Sequence, residues 1–132
     1  NNFENSDFNN LNTQEIEWKE DFYPQEQSFK GGTWRWSNKQ SSLIINNPTT
    51  VAKEAEIHLT LQTGWQEYSN LRIESKLFSD VIKINAQPST FSQKFLLPPG
   101  KHEIKFTSDA QPANNAPGDT RKLFFRVNKI VF

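Results

Sequence analysis

The sequence has no cysteine, no methionine, only two histidines and five glycines, and no long apolar run. Each absence excludes something. Without cysteine there is no disulfide framework, no thiolate metal site and no cysteine nucleophile. His58 and His102 alone do not make a zinc site, which takes three or four ligands. The longest apolar runs are triplets such as Leu43-Ile44-Ile45, far short of the roughly 18 residues of a membrane span, so this segment is expected not to insert into a bilayer. An excess of one charge is missing as well: 15 Lys and Arg balance 15 Asp and Glu, which leaves no basic footprint for nucleic acid or anionic lipid. No Gly-x-Ser-x-Gly elbow occurs, and Gly31-Gly32 is not a phosphate-cradling loop. With no initiator methionine, the expectation is a mature product or a domain cut from a longer protein.

What is present is one domain's worth of chain, 132 residues with 11 Phe and 4 Trp. Residues 1–14 form a polar leader in which six Asn fall between Asn1 and Asn12, too poor in large apolar residues to pack a face. Residues 15–132 form the domain. There the apolar residues alternate with polar ones in short runs. In Glu56 to Leu61, Ile57, Leu59 and Leu61 point one way while Glu56, His58 and Thr60 point the other. Similar runs lie at Ile16-Glu17-Trp18, Thr33 to Ser37, Leu43 to Ile45, Leu71 to Ile73, Ile82 to Ile84, Phe91 to Leu97, Glu103 to Phe106 and Leu123 to Phe132, with turn residues between them. About nine short strands at such spacing predict an all-β, antiparallel β-sandwich of jelly-roll type. In the last run Leu123, Phe125 and Val127 share one parity, and Ile130 and Phe132 have the other, which predicts a bulge near Asn128-Lys129 or a change of sheet.

Three places carry candidate chemistry. Trp34 and Trp36 flank Arg35 on a strand, so both rings take one face and the guanidinium the other. The rings are either core or a platform for a sugar, with Arg35 and Glu26 to bond its hydroxyls. Trp65 sits in the turn Thr63-Gly64-Trp65-Gln66, where it either binds a ligand or folds back over the end of the sandwich. The long loop from Ala110 to Gly118 is flanked by Asp109 on one side and by Asp119 and Arg121 on the other. Asp109 and Asp119, with Glu26, are candidate oxygen ligands for a structural calcium ion, and the competing reading is an ion pair that staples the loop.

The order Phe22-Tyr23-Pro24-Gln25-Glu26, Gly31-Gly32-Thr33-Trp34-Arg35-Trp36, Pro98-Pro99-Gly100-Lys101 and Asp119-Thr120-Arg121-Lys122-Leu123 resembles the extracytoplasmic jelly-roll domains, galactose-binding-like in fold, of bacterial membrane glycosyltransferases and related envelope proteins. The resemblance covers about residues 16–132 and implies roles, as framework or as binding groups, for Tyr23, Glu26, Arg35, Trp36, Asp119 and Arg121. It implies a noncatalytic accessory module outside the cytoplasmic membrane. Together these readings give a monomeric domain without a catalytic cofactor that binds a neutral glycan through Tyr23, Glu26, Trp34, Arg35, Trp36, Trp65, Asp119 and Arg121. The alternatives are a structural domain packed on its parent protein and, last, a small hydrolase, which requires facing carboxylates or a Ser-His pair in a cleft.

Overall fold

Alternation of period two has its physical outcome in ten strands, seen in a computed structural model that describes residues 15–132. The leader assigned to residues 1–14 lies outside the described residues. The strands are β1 (Ile16–Trp18), β2 (Glu26–Gln27), β3 (Thr33–Ser37), β4 (Gln40–Asn47), β5 (Lys53–Gln62), β6 (Ser69–Glu74), β7 (Ser79–Ile84), β8 (Ser89–Leu97), β9 (Gly100–Ser108) and β10 (Phe125–Val131). All pairings are antiparallel. They make two five-stranded sheets, β1-β4-β9-β6-β7 and β2-β3-β10-β5-β8. The apolar faces of these sheets pack on each other as a jelly-roll sandwich.

The core is the inward half of each alternating run. Leu43 pairs across from Ile104 and Ile73 from Phe106 in the first sheet, and Leu59 lies opposite both Phe91 and Ile130 in the second. Leu43, Leu59, Ile73, Ile104 and Phe106 have no solvent exposure. Phe22, in the irregular segment after β1, is also buried and meets Trp18, Phe106 and Phe125 edge-to-face, at centroid separations of 4.7, 5.8 and 6.1 Å. Such aromatic pairs prefer this geometry because the ring edge is positive and the face negative.

The parity change near the end of the chain resolves as a bulge and not as a change of sheet. The β10–β5 register shifts between Val127 and Lys129, leaving Asn128 unpaired. Val127 then faces Leu61 and Ile130 faces Leu59, so both point inward.

One end of the sandwich collects the connections β3–β4, β5–β6, β7–β8 and β9–β10. They are laced together by buried polar groups. Thr63 N–H donates to Asn85 O at 2.9 Å, Ala86 N–H to Trp65 O at 2.7 Å, and the buried Asn85 amide to Gln66 O at 3.0 Å. Loop backbone buried at such an end needs these partners, because an unpaired group there costs about 1–3 kcal/mol.

Candidate functional site

The turn after β5 puts an aromatic pair at this laced end. Thr63 Oγ1 accepts the Trp65 backbone N–H at 3.2 Å, and the Trp65 indole N–H is shared between the carbonyls of Gln111 and Pro112, both at 3.2 Å. Gly64 lies so close to Ala113 that a Cβ at residue 64 would stand 2.6 Å from the Ala113 Cβ. The β5–β6 and β9–β10 loops are therefore pressed together, and Trp65 is held on edge by the second of them. Between them opens a cavity of about 420 Å³ lined by Trp65, Glu67, Tyr68, Ser69, Asp109 and Gln111, with Ala110. Tyr68 is 67% exposed, the most exposed aromatic residue of the pocket, and Trp65 is half-buried. The Ser69 hydroxyl oxygen is shut off from solvent and has no hydrogen-bond partner among the described residues. Asp109 is held in place by the backbone N–H of Asn70 at 2.7 Å and its side-chain amide at 3.0 Å. The arrangement offers a hydrophobic ring surface beside carboxylate and hydroxyl acceptors, the requirements of a small polar ligand with an apolar face.

Trp34 and Trp36 lie elsewhere, on the outer face of the second sheet, half-buried. Trp36, Arg126 and Gln62 stand in one row across β3, β10 and β5. The Arg126 guanidinium sits 4.7 Å from the Trp34 ring and 5.8 Å from the Trp36 ring, and it donates to Gln62 Oε1 at 3.0 Å. Burial pushes the Arg126 pKa down, opposed by the charge of Glu26. The protein's own cation thus covers ring surface that a sugar would use. Arg35 is on the opposite side of β3, 4.7 Å from the Trp18 ring, and donates to Tyr23 O at 3.1 Å. Arg35 and Trp34 nonetheless line one cavity of about 230 Å³, together with Trp18 and Gln25.

Tyr23, Glu26, Asp119 and Arg121 do come together. Arg121 grips Asp119 in a fork, with Nε–Oδ1 at 3.0 Å and Nη2–Oδ2 at 2.9 Å, and its Nη1 donates to Glu26 Oε2 at 2.8 Å. It also lies 5.5 Å from the Tyr23 ring, whose hydroxyl accepts the Lys122 N–H at 3.0 Å. These hydrogen bonds from Arg121, the guanidinium first and the backbone N–H second, hold the Asp119 carboxyl down at about 2. The same partners raise the Arg121 pKa, Asp119 most. This is a staple of the loop's end to β2, in which the polar atoms are turned on one another. Asp109 does not join it, since it pins the other shoulder of the loop to β6. Among the described residues no three of His, Asp and Glu are gathered closely enough to hold a metal ion. Among the described residues one Ser-His contact exists: His58 Nδ1 to Ser92 Oγ at 2.8 Å, with Glu56 at 3.6 Å from Nε2, both His58 and Glu56 about two-fifths exposed on the outer face of the second sheet.

With strand order and loop cluster established, the chain can be set against known structures. The sandwich shares its fold with carbohydrate-binding modules. A family 35 carbohydrate-binding module from an environmental isolate superposes with a TM-score of 0.57 at 10% identity, over 91% of this chain and 88% of that one. A family 35 module from Clostridium thermocellum gives 0.50 at 11%, over 87% and 93%. A family two carbohydrate esterase from Clostridium thermocellum, solved with cellohexaose, gives 0.50 at 14%, over 89% of this chain but only 30% of the enzyme. The chain is thus as large as a whole module and less than a third of that enzyme. No family model matches the sequence, and no curated protein matches it by sequence.

Of the pocket residues, the sequence singles out Trp65, as a binding residue or a cover over the end of the sandwich, and Asp109, as a calcium ligand or part of a loop staple. It does not single out Tyr68, Glu67, Ser69 or Gln111. The signal available was the spacing Trp65-x-x-Tyr68 inside a turn, two aromatics where a connection between strands is ordinarily polar.

Proposed function

We propose that this chain is a noncatalytic carbohydrate-binding module whose glycan seats in the rim pocket, with Trp65 and Tyr68 as the stacking surfaces. The observation that carries this reading is Tyr68, exposed beside a tethered Trp65 at the mouth of a cavity that polar groups line. A sugar ring presents an apolar C–H face to such rings and hydroxyls to Asp109 and Gln111. The fold shared with family 35 modules supports the reading. The His58–Ser92 contact does not weigh against it, because an imidazole this exposed lacks the desolvated setting that activates a serine.

The module belongs, on this reading, to a larger bacterial envelope protein and works outside the cytoplasmic membrane. The resemblance carried by Tyr23, Glu26, Arg35, Trp36, Asp119 and Arg121 supports that setting, and no helix among the described residues is long and apolar enough to cross a membrane.

The test is tryptophan emission during titration with a panel of soluble oligosaccharides. A ligand is expected to shift the emission, and Tyr68→Ala, which removes an exposed ring, is expected to weaken binding by about 2 kcal/mol, roughly thirtyfold in Kd, with the melting temperature unchanged. No response to any glycan, or a response that Tyr68→Ala leaves intact, overturns the assignment of this pocket.

A further inference from the structure

The charges around the pocket say more about the ligand than the chain's overall neutrality does. Two carboxylates line the pocket, Glu67 and Asp109, and no Lys, Arg or His does. Glu67 is exposed and makes no ion pair or hydrogen bond among the described residues. Asp109 is bonded only by the two neutral N–H donors of Asn70, which orient the carboxylate and leave its charge in place. The rings of Trp65 and Tyr68 line the same space. Every formal charge of the pocket thus has one sign, in a protein whose charges balance overall. The carboxylate of a uronic acid or a phosphate would be repelled here, whereas a cationic group would be attracted.

We infer that the pocket selects a sugar bearing a free amine, held as its ammonium between the Glu67 and Asp109 carboxylates and against the rings of Trp65 and Tyr68. This rests on the glycan-binding reading above and specifies its ligand. An ammonium satisfies the carboxylates with charge-assisted hydrogen bonds and is drawn to the aromatic faces, while the pyranose ring keeps its apolar contact with the rings. N-acetylation of the same sugar removes the charge and adds bulk where the carboxylates stand, so the acetylated sugar is the natural control.

The experiment is calorimetry or NMR titration of the full chain at about pH 6 with three oligomers of equal length: glucosamine, N-acetylglucosamine and glucose, all β-1,4-linked. The glucosamine oligomer is expected to bind at least about tenfold more tightly than either other. Its affinity is expected to fall severalfold between about 20 mM and about 300 mM salt, as screening shortens the reach of the carboxylates. Glu67→Gln is expected to reduce the preference about fivefold or more at unchanged melting temperature, since Glu67 has no structural partner. Equal affinity for the three oligomers, or a preference that survives Glu67→Gln, overturns the amine assignment. If neutral oligomers bind and Tyr68→Ala abolishes that binding, the amine selectivity fails and the glycan pocket stands; if none of the three binds, the amine assignment falls, and the glycan reading falls with it only when the wider oligosaccharide panel is silent as well.

Discussion

A methyl group at position 64 would meet the Ala113 methyl at 2.6 Å, well inside van der Waals contact. Gly64 is required there by proximity, because the two loops that shape the rim pocket touch through that missing side chain. Gly64→Ala is therefore expected to push the β9–β10 loop outward and to destabilise the protein by ~1–3 kcal/mol. Glycan affinity is expected to fall with it, since the indole N–H of Trp65 donates to the carbonyls of Gln111 and Pro112 on that loop. Ala113→Gly in the Gly64→Ala background removes the second methyl and is expected to recover most of both losses. Thermal melting and ligand titration of the single and double variants check this, and no recovery in the double variant contradicts the steric account. At this scale little was visible in advance. Gly64-Trp65 is legible as a turn, but its contact lies some fifty residues away along the chain, and no local pattern points to it.

At the scale of the element, β10 shows how much alternation can say. The parity conflict between Val127 and Ile130 is visible in the letters alone, and the bulge at Asn128 resolves it. Deletion of Asn128 removes the bulge and leaves a regular ladder, with Val127 still opposite Leu61, Lys129 opposite Thr60 on the outer face and Ile130 opposite Leu59. Such a chain is expected to stay folded and to lose about 1 kcal/mol with the side-chain hydrogen bond that Asn128 donates to Gln62. Circular dichroism and the dispersion of the amide NMR spectrum read the result, and an unfolded deletion variant contradicts the register. The other long strands were legible for the same reason, their period-two patterns. β2 was not, because Glu26–Gln27 is two residues long and carries no alternation. The platform of Trp34 and Trp36 was half legible: their common face follows from spacing, whereas the Arg126 that covers it arrives from the far end of the chain. Trp65 was singled out because a Trp beside a Gly in a turn is conspicuous. Tyr68 gains its importance only where the β5–β6 and β9–β10 loops meet at one end.

For the molecule as a whole, the staple of Glu26, Arg121 and Asp119 ties the long loop to the sandwich and makes stability depend on acid. An unfolded Asp titrates at about 3.9, and Asp119 in the folded protein titrates at about 2 through its hydrogen bonds to Arg121. Its folded pKa is the lower one, so its contribution is complete above roughly pH 4 and is lost as pH falls toward 2. Asp119→Asn lacks that contribution at every pH. The gap in melting temperature between the native protein and Asp119→Asn is therefore expected to be widest above about pH 5 and to close as the pH approaches 2. A gap that stays constant across that range removes Asp119 from the acid response.

The strand order of the second sheet has a consequence for how the protein is made. β10, the last strand of the sandwich, lies between β3 and β5, in the middle of its sheet. Until those final residues leave the ribosome, β3 and β5 have no common neighbour, and the sheet stands open along its central seam. The second sheet of a nascent chain therefore cannot close until synthesis of the domain is all but finished. A stop codon anywhere before Phe125 would release a chain with no closed second sheet.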